Sequence, residues 1–208
     1  LASQTKTNIC CHVDHGYTLD ECYEGIDSGF TSVMFDGSKL TLKENIKISK
    51  KIASRAHKYN ISIEGEIGFV GYDNGKISEG TNIEDAVTFA NQSNIDAMAI
   101  SVGNTHLQTS KKASIDFNKI NLIEAKTKIP LVLHGSSGIP VEQRKKLARK
   151  TKVAKLNIGT EIRMTFGEAL RKNLKNNPKT YDRLQLLKPT IKDLTKVTKK
   201  IIKQIGPN

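Results

Sequence analysis

The sequence has no tryptophan, and its five tyrosines and six phenylalanines are too few to interleave with the basic residues. A stacking platform for single-stranded nucleic acid is therefore not expected, and no nucleic-acid motif accompanies the charge. Cysteine is equally scarce. Cys10, Cys11 and Cys22 give neither a disulfide framework nor a zinc-ribbon spacing, so a reducing, cytoplasmic setting is the simplest expectation. No run approaches the ~18 apolar residues of a membrane span, no signal-peptide pattern opens the sequence, and no membrane partner is expected. The formal charge of +12 comes from 33 Lys and Arg against 21 Asp and Glu. The lysines are scattered among Asn and Ile, which describes a solvated surface better than a basic groove. A small anion such as a sugar phosphate suits the same charge.

At 208 residues with 37% hydrophobic content, the chain fits one domain with a sizeable core. An apolar run near the start ends abruptly in Asp14-His15-Gly16. An isolated Asp-His pair is more often a helix-capping aspartate beside a satisfied core histidine. Here the pattern repeats. Apolar runs at 30–35, 61–67, 97–102, 130–133 and 153–158 each stop at polar residues: Asp36, Glu66, His106, His134 and Asn157. Between them lie helical patterns, opened by capping-box spacings at Thr18, Thr41 and Thr81. Residues 69–80 read as a long loop fit to be a mobile lid. Pro140 is placed in the first turn of a helix, and the 190–205 tail reads as an amphipathic helix with its lysines outward.

Six strand-then-helix units of roughly 30 residues imply parallel strands with right-handed crossovers. A doubly wound sheet gathers its site at one switch point, whereas a barrel gathers residues from many strand ends around one rim. Polar residues at every strand end favour the barrel. The fold class expected is α/β, a (β/α)8 TIM barrel, although only six units are present.

His15, His106 and His134 end three different strands and would meet at the rim. Three imidazoles with an open fourth position make a catalytic zinc site, where the metal acts as a Lewis acid on a carbonyl. Asp36 and Glu66 would orient those ligands or offer a second metal position. His12 and His57 read as structural. The loops Gly135-Ser136-Ser137-Gly138 and Asn157-Ile158-Gly159-Thr160 offer backbone N–H groups and hydroxyls where barrels often bind phosphate. Lys155 is the candidate for a rival Schiff-base chemistry.

The segments 12–16, 32–38, 64–68, 102–106, 130–138 and 155–160 resemble, in order, the successive motifs of the class II fructose/tagatose bisphosphate aldolases. The resemblance implies a zinc-dependent barrel enzyme that cleaves a ketose bisphosphate to dihydroxyacetone phosphate and an aldehyde. The alternatives are an aldolase for a phosphorylated deoxy-keto sugar of polyol catabolism, or a truncated, inactive metal-binding protein. By position it implies Asp14 as the catalytic acid/base and His15, His106 and His134 as zinc ligands. Glu66 and Asp36 match the auxiliary metal-site acids. Gly103, Gly135, Ser137, Gly138, Asn157, Gly159 and Thr160 match the phosphate- and substrate-binding positions. A monovalent cation (Na+ or K+) and a homodimer or homotetramer are further implications.

Three features depart from the family. It carries two further β/α units before the Asp14 motif, so residues 1–208 are expected to form a single domain lacking them, with two open sheet edges. The glycine-tyrosine pair after the second zinc histidine reads Leu107-Gln108, and the acid of the mobile loop falls at Asp73 or is replaced by Asn74. Gly159 stands where fructose bisphosphate enzymes commonly have aspartate.

Overall fold

A computed structural model describes residues 4–72, 75, 78 and 80–206. Strands and helices alternate: β1 (His12–Gly16), α1 (Leu19–Asp27), β2 (Ser32–Phe35), α2 (Leu42–Lys58), β3 (Ser62–Ile67), α3 (Ile83–Gln92), β4 (Ala97–Ile100), α4 (Phe117–Lys126), β5 (Leu131–Leu133), α5 (Val141–Lys150), β6 (Val153–Leu156) and α6 (Thr160–Asn176). The short α7 (Arg183–Leu187) and α8 (Thr190–Ile205) follow. Neighbouring strands pair in parallel, in sequence order from β1 to β6. All carboxyl ends therefore lie at one rim.

The sheet is curled. Five inter-strand steps of about 4.8 Å would hold the edge strands of a flat sheet about 24 Å apart. Instead Asn157, just past β6, donates from Nδ2 to Asp14 Oδ1 of β1 at 3.1 Å. Lys155 Nζ of β6 likewise lies 3.2 Å from His12 Nε2 of β1. Only an arc that turns most of the way round a barrel brings the two edges that close. No β6-to-β1 pairing closes it among the described residues.

Strand parity sorts the side chains. Val33, Phe35, Ile63, Met98, Ile100, Leu131 and Leu133 point outward and form the main core with Ile52, Phe89, Ile120 and Leu147 of the surrounding helices. Met34, Ala99 and Val132 point inward as a small apolar floor. The rim sits above that floor.

Thr18 and Thr41 form full capping boxes with Glu21 and Glu44. Thr81 does not cap α3, contrary to its spacing. Asn82 is the cap, its side chain accepting the Asp85 N–H. Thr81 Oγ1 instead donates to the Ile67 carbonyl and accepts the Ser101 N–H, both at 2.7 Å, satisfying backbone groups at the end of β3 and just past β4. Pro140 stands at the N-cap of α5, one position before the first turn.

Candidate active site

Asp14 and His15 are neighbours, and in a regular strand they would face opposite ways. β1 avoids this with a bulge: Val13 pairs with Val33 but Gly16 with Phe35, so three residues of β1 span two of β2. His15 adopts a left-handed φ of 59° at the irregularity. Both side chains reach the rim as a result.

There the imidazoles of His15, His106 and His134 converge, with candidate ligand atoms all within 4.8 Å of one another. The outer nitrogens of two rings are already engaged. His15 Nδ1–H donates to Asp36 Oδ2 at 2.9 Å, and His134 Nε2–H donates to Glu64 Oε1 at 2.8 Å. In the neutral rings this turns the lone pairs of His15 Nε2 and His134 Nδ1 towards each other at 3.0 Å. Asn157 Nδ2 also lies 3.1 Å from His134 Nδ1, so a proton or a metal ion can occupy this junction. Three imidazoles facing one point, with carboxylates behind two of them, are a donor set that fits a metal. Tetrahedral zinc, with Zn–N near 2.0–2.1 Å, would need its ligand nitrogens roughly 3.3 Å apart. Carboxylates behind the ligating rings are the usual outer support of such sites.

His106 is placed by the segment after β4. Its backbone N–H donates to the Gly71 carbonyl at 2.8 Å, and the Tyr72 ring stacks on it at 5.1 Å. Asn104 Nδ2 donates to the His134 carbonyl at 3.0 Å and so ties this segment to β5. Burial, with the neighbouring imidazoles of His15 and His134, lowers the His106 pKa to about 4. At neutral pH that ring presents a lone pair.

Burial pushes the Asp36 carboxyl up, but hydrogen bonds from His15 and Ser38 outweigh it and bring the pKa down to about 2. Glu64 follows the same balance: burial raises it, while His134 and Lys155 pull it to about 2. Glu66 is different. Burial, reinforced by the charges of Asp36 and Glu64, holds its carboxyl well above the usual range. Its buried Oε2 has no hydrogen-bond partner among the described residues. His15, Asp36 and Glu66 form a second group able to hold a cation.

A pocket of about 180 Å³ opens on the histidines, lined among others by Asp14, Gly135, Ser137, Asn157, Gly159 and Thr160. Gly135 has φ +64°, and a Cβ there would lie 2.2 Å from the Thr105 carbonyl oxygen. Glycine thus lets the loop after β5 pass against the loop carrying His106. The 17-residue α6 begins at Thr160 with no capping side chain from its own N-cap residue; Ser137 Oγ takes the Glu161 N–H at 3.1 Å, and the helix start as a whole favours an anion. Gly103 and Gly138 do not line the pocket. His57 is an exposed helix residue paired with Asp96. Asp73 and Asn74 lie outside the described residues.

Sequence reasoning missed Glu64, although its parity matches Glu66 two residues on. It also missed Arg163, which lines the pocket one turn into α6, and Tyr72. Lys155 does not line the pocket; its Nζ is ion-paired with Glu64 Oε2 at 2.7 Å.

The family model of class II fructose-bisphosphate aldolases matches residues 1–208. A 6-phospho-5-dehydro-2-deoxy-D-gluconate aldolase of Shouchella clausii is 36% identical over 201 residues, covering 95% of this chain and 68% of that protein. A fructose-bisphosphate aldolase of Staphylococcus aureus is 33% identical over 202 residues, covering 95% and 70%. Among solved structures, the YdjI aldolase of Escherichia coli superposes with a TM-score of 0.81 at 26% identity, over 99% of this chain and 71% of that one. With the histidine cluster at the strand ends and a matching model along its whole length, the chain belongs to the class II fructose-bisphosphate aldolase family.

Proposed function

We propose that this chain catalyses zinc-dependent aldol cleavage, and the reverse condensation, of a phosphorylated ketose, with dihydroxyacetone phosphate as one product. The observation that carries the reading is the convergence of His15 Nε2 and His134 Nδ1, 3.0 Å apart, with His106 beside them. When bound there, zinc supplies a Lewis acid that draws negative charge from the ketone carbonyl.

The chain's own residues do the rest. Asp14 takes the proton of the hydroxyl on the carbon that becomes the aldehyde as the carbon–carbon bond breaks. The bonding pair stays with the ketone half, which takes a proton from solvent to become dihydroxyacetone phosphate, and condensation reverses both transfers. Its carboxylate is 57% exposed, open to substrate, and is steered by Asn157 Nδ2 at 3.1 Å. Ser137, the Gly135 loop and the start of α6 receive the phosphate of the three-carbon ketone half. Arg163 adds a cation to the same pocket.

Fructose 1,6-bisphosphate and 6-phospho-5-dehydro-2-deoxy-D-gluconate share that phosphorylated ketone half. Beyond the scissile bond one carries a second phosphate and the other a carboxylate. The second substrate is the alternative reading, favoured by the 36% identical relative. The six strands correspond in this reading to strands three to eight of an eight-stranded barrel. The open arc and the 68% coverage of the longer relative support that correspondence.

The test is release of dihydroxyacetone phosphate from each substrate, before and after chelation and zinc restoration. Activity that is lost to chelator and regained with zinc is expected, and the preferred substrate decides between the two sugars. Activity that survives chelation, with borohydride trapping substrate on Lys155, would overturn the proposal.

A further inference from the structure

Arg144, on α5, is the largest fully buried side chain among the described residues, at 0% exposure. A buried guanidinium is expensive. Its neighbour on the same helix face, Leu147, fills the interior at no electrostatic cost, and an apolar side chain at 144 would do the same. Nη1 is even left without a partner among the described residues. The charge must therefore hold something that packing would not.

What it holds are two loops. Arg144 Nε donates to the Ser136 carbonyl at 3.0 Å, and Nη2 donates to the Ser137 carbonyl at 2.8 Å, both in the loop after β5. The same Nη2 reaches Glu161 Oε2 at 2.6 Å, in the first turn of α6 after β6. Two further bonds join the loops directly. Ser136 N–H donates to the Asn157 carbonyl at 3.0 Å, and Glu161 N–H donates to Ser137 Oγ at 3.1 Å. With that lone pair engaged, the Ser137 hydroxyl keeps its own proton for a ligand. Burial raises the Glu161 carboxyl, but the Arg144 hydrogen bond and charge, with Lys111, outweigh it and hold the acid ionised.

We propose that Arg144 is a positioning residue that locks the two halves of the phosphate cradle together through Ser136, Ser137 and Glu161. It touches no substrate. The inference rests on the cradle reading above: Ser137 and the start of α6 bind the phosphate only while their separation is fixed, and the Arg144–Glu161 pair fixes it.

The experiment is calorimetric titration of the zinc-loaded protein with dihydroxyacetone phosphate, and with dihydroxyacetone as the phosphate-free probe. Arg144→Met should weaken binding of the phosphorylated probe by up to about 10²-fold, the cost of misplacing a positioned group by about 1 Å. Arg144→Lys should recover part of that loss. Glu161→Gln removes the counter-charge at a partly exposed position, so it carries the test should Arg144→Met not fold. The double variant Arg144→Met/Glu161→Gln should be no worse than Arg144→Met alone, because both changes break one device. Zinc content, kcat and the affinity for dihydroxyacetone should stay near wild type while KM for phosphorylated substrate rises.

Thr160→Val and Ser137→Ala report on the cradle itself. If either weakens the phosphorylated probe while Glu161→Gln and the folded Arg144 variants bind like wild type, the lock is refuted and the cradle stands. If neither affects that probe, or wild type does not bind it, the cradle reading fails and the inference with it.

Discussion

Asp14 and His15 adjoin in sequence and are proposed to do different work, and one extra residue in β1 lets both face the same rim. Asp14→Asn should lower kcat by about 10²–10⁴-fold, the usual reach of general acid–base catalysis, with zinc content unchanged. Parallel loss of zinc would show that Asp14 belongs to the metal site instead. Both residues were legible from sequence, as were Asp36, Glu66, His106, His134 and Asn157, because ionisable or amide groups ending apolar runs are conspicuous. Glu64 was not. It lies one turn of the strand pleat below Glu66, and its partners, His134 and Lys155, are 70 and 91 residues away in sequence. No local spacing encodes such a pairing. Glu64 ionises at about 2 in the folded protein, against 4.5 as its reference, so its contribution to stability is complete above about pH 4.5 and is lost as pH falls towards 2. Glu64→Gln should cost about 3 kcal/mol at pH 7, as for one partner removed from a buried pair. Urea unfolding of the variant between pH 5 and pH 2 should also be flatter than wild type. An unchanged pH slope would mean that Glu64 does not stabilise the fold through its charge.

Secondary elements place these groups through a few close approaches. Gly65 sits in the middle of β3 between Glu64 and Glu66, and a Cβ there would lie 2.8 Å from the Phe89 ring of α3. Gly65→Ala should therefore destabilise by about 1–3 kcal/mol, the ordinary cost of overpacking, and shift Glu64 and Glu66 with the strand. The check is the thermal midpoint measured together with zinc affinity; an unchanged midpoint would show that Phe89 can yield. Element boundaries were readable where a cap acts locally, as at Thr18 and Thr41. At Thr81 the same spacing misled, since the hydroxyl was needed across the sheet by Ile67 and Ser101. The tertiary demand of two buried backbone groups outweighed a local preference that Asn82 could meet.

For the whole molecule, the alternation of strands and helices was visible in the hydrophobic pattern, but the curl was not. Periodicity gives a strand's inner and outer faces and leaves the path of the sheet open. Chemistry supplied the missing information: polar residues at the end of every strand make sense only if those ends meet. The arc brings β1 and β6 together through His12, Asp14, Lys155 and Asn157, and sets three histidines, from β1 and from the segments after β4 and β5, around one point. That convergence is the centre of the account. It is tested most directly by X-ray absorption spectroscopy at the zinc edge on protein loaded with one equivalent of metal. Three imidazole nitrogens at about 2.0–2.1 Å, falling to two in His106→Ala, are predicted. Zinc held by oxygen or sulfur donors, or a spectrum that His106→Ala leaves unchanged, would contradict it.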